Sequence, residues 1–456
     1  VGRRAALPDA GTALGETIFA LASGAGAAGV AVIRVSGPGA SRAMEALAGL
    51  VPEPRRAVLR TLRHPKSGEA IDRAVVLRFA APASFTGEEV AEFHVHGGRA
   101  VIEAVAGALL ACGPGLRPAE PGEFSRRAFF NGKLDLTEAE GIADLVAAET
   151  EAQRRQALAQ SGGALARQAA GWSARLARSL ALAEAAIDFS DDGVGEEAER
   201  EALTDAEGVA AEMEAALAGG AFAERVREGF RIAIIGAPNA GKSSLLNRLA
   251  GREAAIVSSR AGTTRDVIEV RMDLGGYAVT LADMAGLRDA EDEVEAEGVR
   301  RALAWAGEAD VLLAVFDGTA REPDQATVGA LAASRAPWLA VSSRADLAQV
   351  VTAVLGRAPL PVSSRTGDGI GALGEALLAE IARLGQGLSG ATLTRARHVA
   401  AVGEARAAIL RAMAGHVPEL RAEELRVAMH VLGRLTGRVD VEELLDIVFG
   451  SFCIGK

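Results

Sequence analysis

Residues 231–249, RIAIIGAPNAGKSSLLNRL, constrain this chain more than any other stretch. A short apolar run is followed by a loop with glycine at both ends and then by a helix-like run. The loop, Gly236-Ala237-Pro238-Asn239-Ala240-Gly241-Lys242-Ser243, fits G-x-x-x-x-G-K-[ST]. Gly236 and Gly241 let the backbone curl so that its N–H groups converge on an anion. The helix that follows adds the positive end of its dipole. Lys242 is placed to reach the outer phosphates, and the Ser243 hydroxyl to bind Mg²⁺. A chance glycine-rich turn would not need a strand before it and a helix after it.

The rest of the composition fits a globular protein. Apolar residues make up 49% of the 456 and charged ones 24%, enough for about two or three domains with aliphatic cores. No apolar run reaches the ~18 residues of a membrane span, and the first residues have no apolar segment like that of a signal peptide. Two distant cysteines, Cys112 and Cys453, leave no disulfide framework or cysteine-based zinc cluster, which suits a cytoplasmic protein. The net charge of −11 speaks against indiscriminate nucleic-acid binding but allows a local basic patch.

Residues 1–131 read as a mixed α+β module. Strands are expected at 30–35, 74–79 and 90–95, and helices at 40–48 and 100–110. In the strand around 90–95, Glu92, His94 and His96 share one face. The two histidines read as a solvated strand face, because a metal pair lacks a third ligand nearby. The stretch 55–66, RRAVLRTLRHPK, is the most basic; it reads as a solvated surface strand, with an RNA contact as the alternative. Residues 117–133 read as a loop-rich, charged junction. From Leu134 the pattern is helical to Asp188, with an interruption at Gly162-Gly163. A further helix over 196–217 is expected to end at Gly219-Gly220.

The P-loop opens a second module. Runs at 267–274 and 277–283 flank Gly275-Gly276 as a hairpin. A helix at 299–305, strands at 311–316, 338–341 and 360–362, and a helix at 370–384 complete a doubly wound, largely parallel sheet. The chain is then helical again to Phe449.

The nucleotide chemistry extends beyond the loop. Asp283-Met284-Ala285-Gly286 follows a strand as D-x-x-G, with Asp283 placed to hold a Mg²⁺ water and the Gly286 N–H to sense the γ-phosphate. Thr263 and Thr264 lie where a switch loop belongs, and one of them would complete the Mg²⁺ shell. GTPases usually carry Asn-Lys-x-Asp to read the base; this chain has Ser343-Arg344-Ala345-Asp346. The Asp346 carboxylate can accept from guanine N1–H and its 2-amino group, which adenine lacks. Arg344 must replace the lysine stem, and Ser363-Ser364-Arg365 fits the later loop that supplies a backbone N–H to the base. Guanine is therefore the expected base.

With these residues assembled, the chain resembles the bacterial tRNA-modification GTPase MnmE (TrmE) family. The likeness covers nearly the whole chain and rests on PNAGKSSLLNRLAGREAAIVSSRAGTTRD, DMAGLRDAEDEVEAEG, SFTGEEVAEFHVHGG, PGEFSRRAFFNGKLDLTEAEGIADL and the terminal FCIGK. It implies an N-terminal folate-binding and dimerisation domain (1–131), a discontinuous helical domain (132–224 and 387–456) and an inserted Ras-like P-loop GTPase domain (225–386). It implies a cytoplasmic homodimer that works with the FAD protein MnmG (GidA) as a heterotetramer, FAD residing on that partner alone. Together they would install an aminomethyl or carboxymethylaminomethyl group at C5 of the tRNA wobble uridine. The one-carbon unit would come from 5-formyl- or 5,10-methylene-tetrahydrofolate.

Carried over by motif, folate contacts fall on Arg34, Glu92, Lys133 and Lys456. GTP contacts fall on Asn239, Ala240, Gly241, Lys242, Ser243, Ser244, Ser258, Thr263, Thr264, Asp283, Gly286, Asp346, Ser363, Ser364 and Arg365. Mg²⁺ falls to Ser243 and Thr264. K⁺, used in place of an arginine finger, falls to Asn239, Ser258, Arg260 and Thr263. Glu295 matches the glutamate that orients the attacking water, and Cys453 a near-terminal cysteine whose role stays open. Without the resemblance, Arg34, Lys133 and Lys456 would pass for solvated charge and Glu295 for one acid among several. Two other classes compete: a ribosome-assembly or translation GTPase, which should end in a basic RNA-binding domain, and a non-catalytic scaffold, which need not keep Asn239 or Glu295.

Overall fold

Period-2 alternation organises the N-terminal sheet. In β2 (Ala31–Ser36) and β5 (Val90–Val95), Ile33, Val35, Phe93 and Val95 turn inward, while Arg34, Glu92 and His94 occupy the other face. The structure is a computed structural model and describes residues 15–24, 26–188, 194–252, 268–283, 307–347, 350–351, 353–386, 393–415 and 417–439, with 445, 448–450, 452 and 454–455 near the end. The chain divides into two units, Val1–Ala143 with Gly433–Lys456, and Asp144–Leu432.

The first unit holds a six-stranded sheet. With β1 (Thr17–Leu21), β3 (Val58–Arg63), β4 (Ala70–Phe79) and β6 (Leu116–Pro118), the order is β3-β4-β5-β2-β1-β6. All pairs are antiparallel except β1 with β6. Helices α1 (Ala40–Ala48) and α2 (Arg99–Ala111) bury Met44, Leu47, Val105 and Leu109 against the apolar face. The basic stretch is β3, the edge strand, with Arg60 and Arg63 exposed, as expected for a surface strand. The expected loop-rich junction is instead built around a two-turn helix, α3 (Glu123–Phe130), whose Phe124 packs with Ile18 and Ala20 of β1. Helix α4 (Leu136–Ala147) starts in this unit and packs Leu136 and Ala139 against Leu445, Val448, Phe449 and Phe452.

In the second unit, the helical segment breaks twice before Asp188. Helix α5 (Glu151–Ser161) starts at a Thr150–Gln153 capping box, and α6 (Ala164–Asp188) follows Gly162-Gly163, the interruption expected there. Helix α7 (Val194–Glu228) does not stop at Gly219-Gly220. A Cβ on Gly220 would lie 2.8 Å from Val399 Cγ2, so this glycine admits α11 (Ala396–Ala414) at close range and is not a cap. The last long helix, α12, spans Pro418–Thr436.

The second sheet comprises β7 (Phe230–Ile235), β8 (Ile268–Leu274), β9 (Tyr277–Asp283), β10 (Val311–Asp317), β11 (Trp338–Ser343) and β12 (Leu360–Pro361), in the order β12-β11-β10-β7-β9-β8. All pairs are parallel except the β8–β9 hairpin, where Leu274 faces Tyr277 across Gly275-Gly276. Helices α8 (Lys242–Arg252) and α10 (Ile370–Leu384) cover one face and α9 (Gln325–Ala333) the other, giving two separate apolar cores. This is the doubly wound sheet expected. The expected helix at 299–305 lies outside the described residues. The hairpin turn is tied to α5: Ala152 N–H donates to Gly276 O at 2.9 Å, and Arg271 pairs with Glu149 at 3.0 Å.

Candidate functional site

Because β7, β9, β10 and β11 are parallel, their carboxyl ends reach one edge of the sheet, where ligands of open α/β folds bind. The P-loop leaves β7 there, and Asp283, Asp317 and Ser343 end the other three strands. Gly236 has φ +152°, and a Cβ on it would come 2.3 Å from Val315 O, so no larger residue fits. Gly241 (φ +98°) closes the loop and leads into α8. Lys242 is buried, its Nζ donating to the carbonyls of Gly236 (2.8 Å) and Ala237 (2.6 Å), which holds the ammonium over the loop. The Ser243 hydroxyl donates to Asp283 Oδ2 at 2.5 Å. A hydroxyl and a carboxylate in contact are hard oxygen donors of the kind Mg²⁺ takes, so these residues fit that ion.

A cavity of about 1170 Å³ opens beside the loop. Asn239, Gly241, Lys242, Ser243 and Ser244 line one side; Ser343, Arg344, Asp346, Ser363, Ser364 and Arg365 line the other. Ala240 is buried beneath the loop. The Asp346 carboxylate accepts from Ser363 Oγ (2.6 Å) and from Arg365 Nε (2.9 Å). Those two bonds, the Ser363 one foremost, hold its pKa below the ordinary value, so it stays an acceptor at neutral pH. Sequence reasoning missed Asp317, which takes Arg344 at 2.6 Å. The available signal was an acid ending a wholly buried strand, as with Asp283. Ser258, Arg260, Thr263, Thr264, Gly286 and Glu295 lie outside the described residues.

A second polar cluster lies in the N-terminal unit. Arg34 and Glu92 are register partners, bonded at 3.0 Å, and the guanidinium lies over Phe85 (5.4 Å) and Phe124 (5.8 Å). Lys133 runs beside Gly87 of the same Phe85 loop, its Cγ 3.2 Å from where a Cβ would stand. His94 meets Glu92 at 3.3 Å and His96 meets Asp72 at 2.7 Å, so each histidine takes a carboxylate. Lys456 and Cys453 lie outside the described residues. The adjoining Ile454 bridges Pro121, and Gly455 (φ +101°) rests on Leu21, whose carbonyl would be 2.1 Å from a Cβ.

Beneath this cluster lies a network that sequence reasoning did not find. Arg127, only 3% exposed, donates to Glu88 (3.2 Å), to Glu123 (3.0 Å) and to the Glu16 carbonyl (2.7 Å). Arg117 forks onto Glu123 at 2.7 and 2.8 Å, and Ser36 donates to Glu88 at 2.6 Å. Glu123 and Arg127 stand four apart on α3, the one local signal for the network.

A doubly wound sheet whose first parallel strand delivers a G-x-x-x-x-G-K-S loop with a buried lysine, a bonded Ser–Asp pair and a carboxylate across the adjoining cavity defines a P-loop GTPase. Comparison with known proteins goes further. The model of the GTP-binding protein TrmE N-terminus matches residues 17–133, and that of the MnmE helical domain matches 136–453. The tRNA modification GTPase MnmE of Granulibacter bethesdensis is 53% identical over 97% of this chain and 99% of that protein. The one from Paramagnetospirillum magneticum is 52% identical over 97% and 100%. The chain belongs to the tRNA modification GTPase MnmE family. Among solved structures, the G domain of T. maritima FeoB aligns over 34% of this chain and 99% of that chain, at 24% identity and a TM-score of 0.26. Among the described residues no helix is long and apolar enough to cross a membrane.

Proposed function

We propose that the chain hydrolyses GTP in a K⁺-dependent reaction coupled to modification of the tRNA wobble uridine at C5, with MnmG (GidA) as partner. The domain limits 1–131, 132–224, 225–386 and 387–456, a cytoplasmic homodimer and a heterotetramer with MnmG belong to the same reading. The observation that carries it is one cavity lined by Lys242, Ser243 and Asp346, with Asp283 bonded to the Ser243 hydroxyl, in a chain aligned over 97% of its length with tRNA modification GTPases.

On this reading Asp346 accepts from the guanine edge and the P-loop amides wrap the phosphates. The Lys242 ammonium turns from its loop carbonyls to the outer phosphates. Ser243 and Asp283 would hold Mg²⁺, which neutralises charge on the phosphates when bound. Asn239 would hold K⁺ beside the phosphates, with Ser258, Arg260 and Thr263, and Glu295 would orient the attacking water. In the N-terminal unit, Arg34 and Glu92, joined by Lys133 and Lys456, would take a reduced folate; a carboxylate suits pterin N–H donors and cations suit glutamyl carboxylates.

Two measurements test this. Wobble nucleosides from cells lacking the chain should lose the C5 group by mass spectrometry. GTP hydrolysis at matched ionic strength should be fast in K⁺ and slow in Na⁺, with Asn239→Ala losing a factor of about 10²–10³ while still binding nucleotide. Equal rates in the two salts refute the potassium mechanism.

A further inference from the structure

Four non-glycine residues among those described have left-handed backbones: Arg55, Asn239, Arg344 and Leu355. Two of them, Asn239 (φ +60°) and Arg344 (φ +57°), both line the nucleotide cavity and are hydrogen-bonded to each other. Asparagine enters this region readily; arginine does so only where its surroundings hold it. What holds Arg344 is visible. Its Nη1 donates to Asp317 Oδ2 at 2.6 Å, and its carbonyl accepts from Leu347 N–H at 2.8 Å. Its Nη2 then reaches the Asn239 carbonyl at 2.9 Å.

Asp317 is built to serve as the anchor. Its other oxygen, Oδ1, accepts both the N–H (3.0 Å) and the hydroxyl (2.7 Å) of Thr319, which leaves Oδ2 for the guanidinium. Burial raises its pKa, but the Thr319 bonds and Arg344 outweigh that and bring it below the ordinary value. Asp317 ends β10, the immediate neighbour of the strand that delivers the P-loop. One planar fork therefore ties the sheet edge to the P-loop backbone at Asn239. A lysine ammonium is a point charge without that fixed geometry.

We infer that Arg344 is a positioning residue: anchored on Asp317, it fixes the backbone of Asn239 and so the aim of the Asn239 side chain. This rests on the reading of Asn239 as a K⁺ ligand and adds that cation affinity is set from the base-reading loop.

The test measures GTP hydrolysis against K⁺ concentration, and GDP affinity separately, in the full chain. Arg344→Gln should raise the half-saturating K⁺ concentration roughly tenfold, the factor expected for one lost charge-assisted hydrogen bond. GDP affinity should fall by a smaller factor, and Arg344→Lys should be intermediate. Asp317→Asn keeps the size and the Thr319 contacts but removes the anchoring charge; it should move K⁺ half-saturation the same way, and it carries the test if Arg344→Gln does not fold. A K⁺-stimulated wild type whose variants keep its half-saturation, or lose GDP affinity by as much, overturns the inference alone. A wild type indifferent to K⁺ overturns the potassium reading and this inference together.

Discussion

Replacing Arg127 by methionine removes a cation that Glu88 and Glu123 share while keeping most of the buried stem. Both carboxylates are shielded, with side chains 13% and 8% exposed. Deleting one partner of such a buried pair typically costs about 3–5 kcal/mol, because the charges left behind stay desolvated. Here the lower end applies: Glu123 keeps Arg117 and the Glu120 N–H, and Glu88 keeps the Ser36 hydroxyl. A loss of about 3 kcal/mol corresponds to a melting-point fall of roughly 6–12 °C for a unit of this size.

The readout can be localised. The three tryptophans, Trp172, Trp305 and Trp338, all fall within residues 144–432 of the sequence, so the N-terminal unit carries no tryptophan of its own. Calorimetry should show the loss, and hydrogen exchange should place it in residues 84–89 and 123–130. Adding Glu88→Gln and Glu123→Gln should recover most of it, since the uncompensated charges go. The acid limb should move as well. Burial raises the Glu123 pKa, but its bonds with Arg117, Glu120 N–H and Arg127 prevail and hold it below the ordinary 4.5. Its stabilisation is therefore full above about pH 4.5 and lost as pH falls through the lower folded value; in Arg127→Met the folded value rises, so this contribution is smaller and its loss is complete at a higher pH. A melting-point change under about 2 °C in Arg127→Met would show that the network carries little stability.

Two further outcomes are expected. Asp346→Asn should weaken GTP by about 1–3 kcal/mol and relax discrimination against xanthosine nucleotides in fluorescence titrations; unchanged GTP binding would show that 343–346 does not read the base. Gly455→Ala, whose Cβ would sit 2.1 Å from Leu21 O, should loosen the C-terminal tail and weaken 5-formyltetrahydrofolate by calorimetry at unchanged fold, whereas unaltered affinity would remove the tail from that site.

Local features were the legible ones. The P-loop and the Gly275-Gly276 hairpin are written in consecutive residues, and each forms where the spacing places it. Gly219-Gly220 misled because a glycine pair inside a helical pattern has two physical meanings, a stop or a close approach. Val399, nearly two hundred residues on, decides between them. The 117–133 stretch misled for a related reason. Its charges look solvated until Glu88, from the Phe85 loop, meets Arg127 and makes burial tolerable.

The Ser343-Arg344 departure follows the same logic at the site itself. Judged residue by residue, serine cannot span what asparagine spans, and arginine only approximates a lysine stem. In the fold, Ser343 packs beneath the P-loop, its Cβ 3.6 Å from where a Cβ on Gly241 would stand, and Arg344 supplies the link to the loop. That link needs an acceptor pair 2.6 and 2.9 Å from one guanidinium, and one of the two is Asp317, contributed by a different strand. A loop that departs from Asn-Lys-x-Asp can thus keep a bond to the P-loop, provided a neighbouring strand ends in a carboxylate. The residue to inspect beside such a divergent loop is the one that closes the adjacent strand.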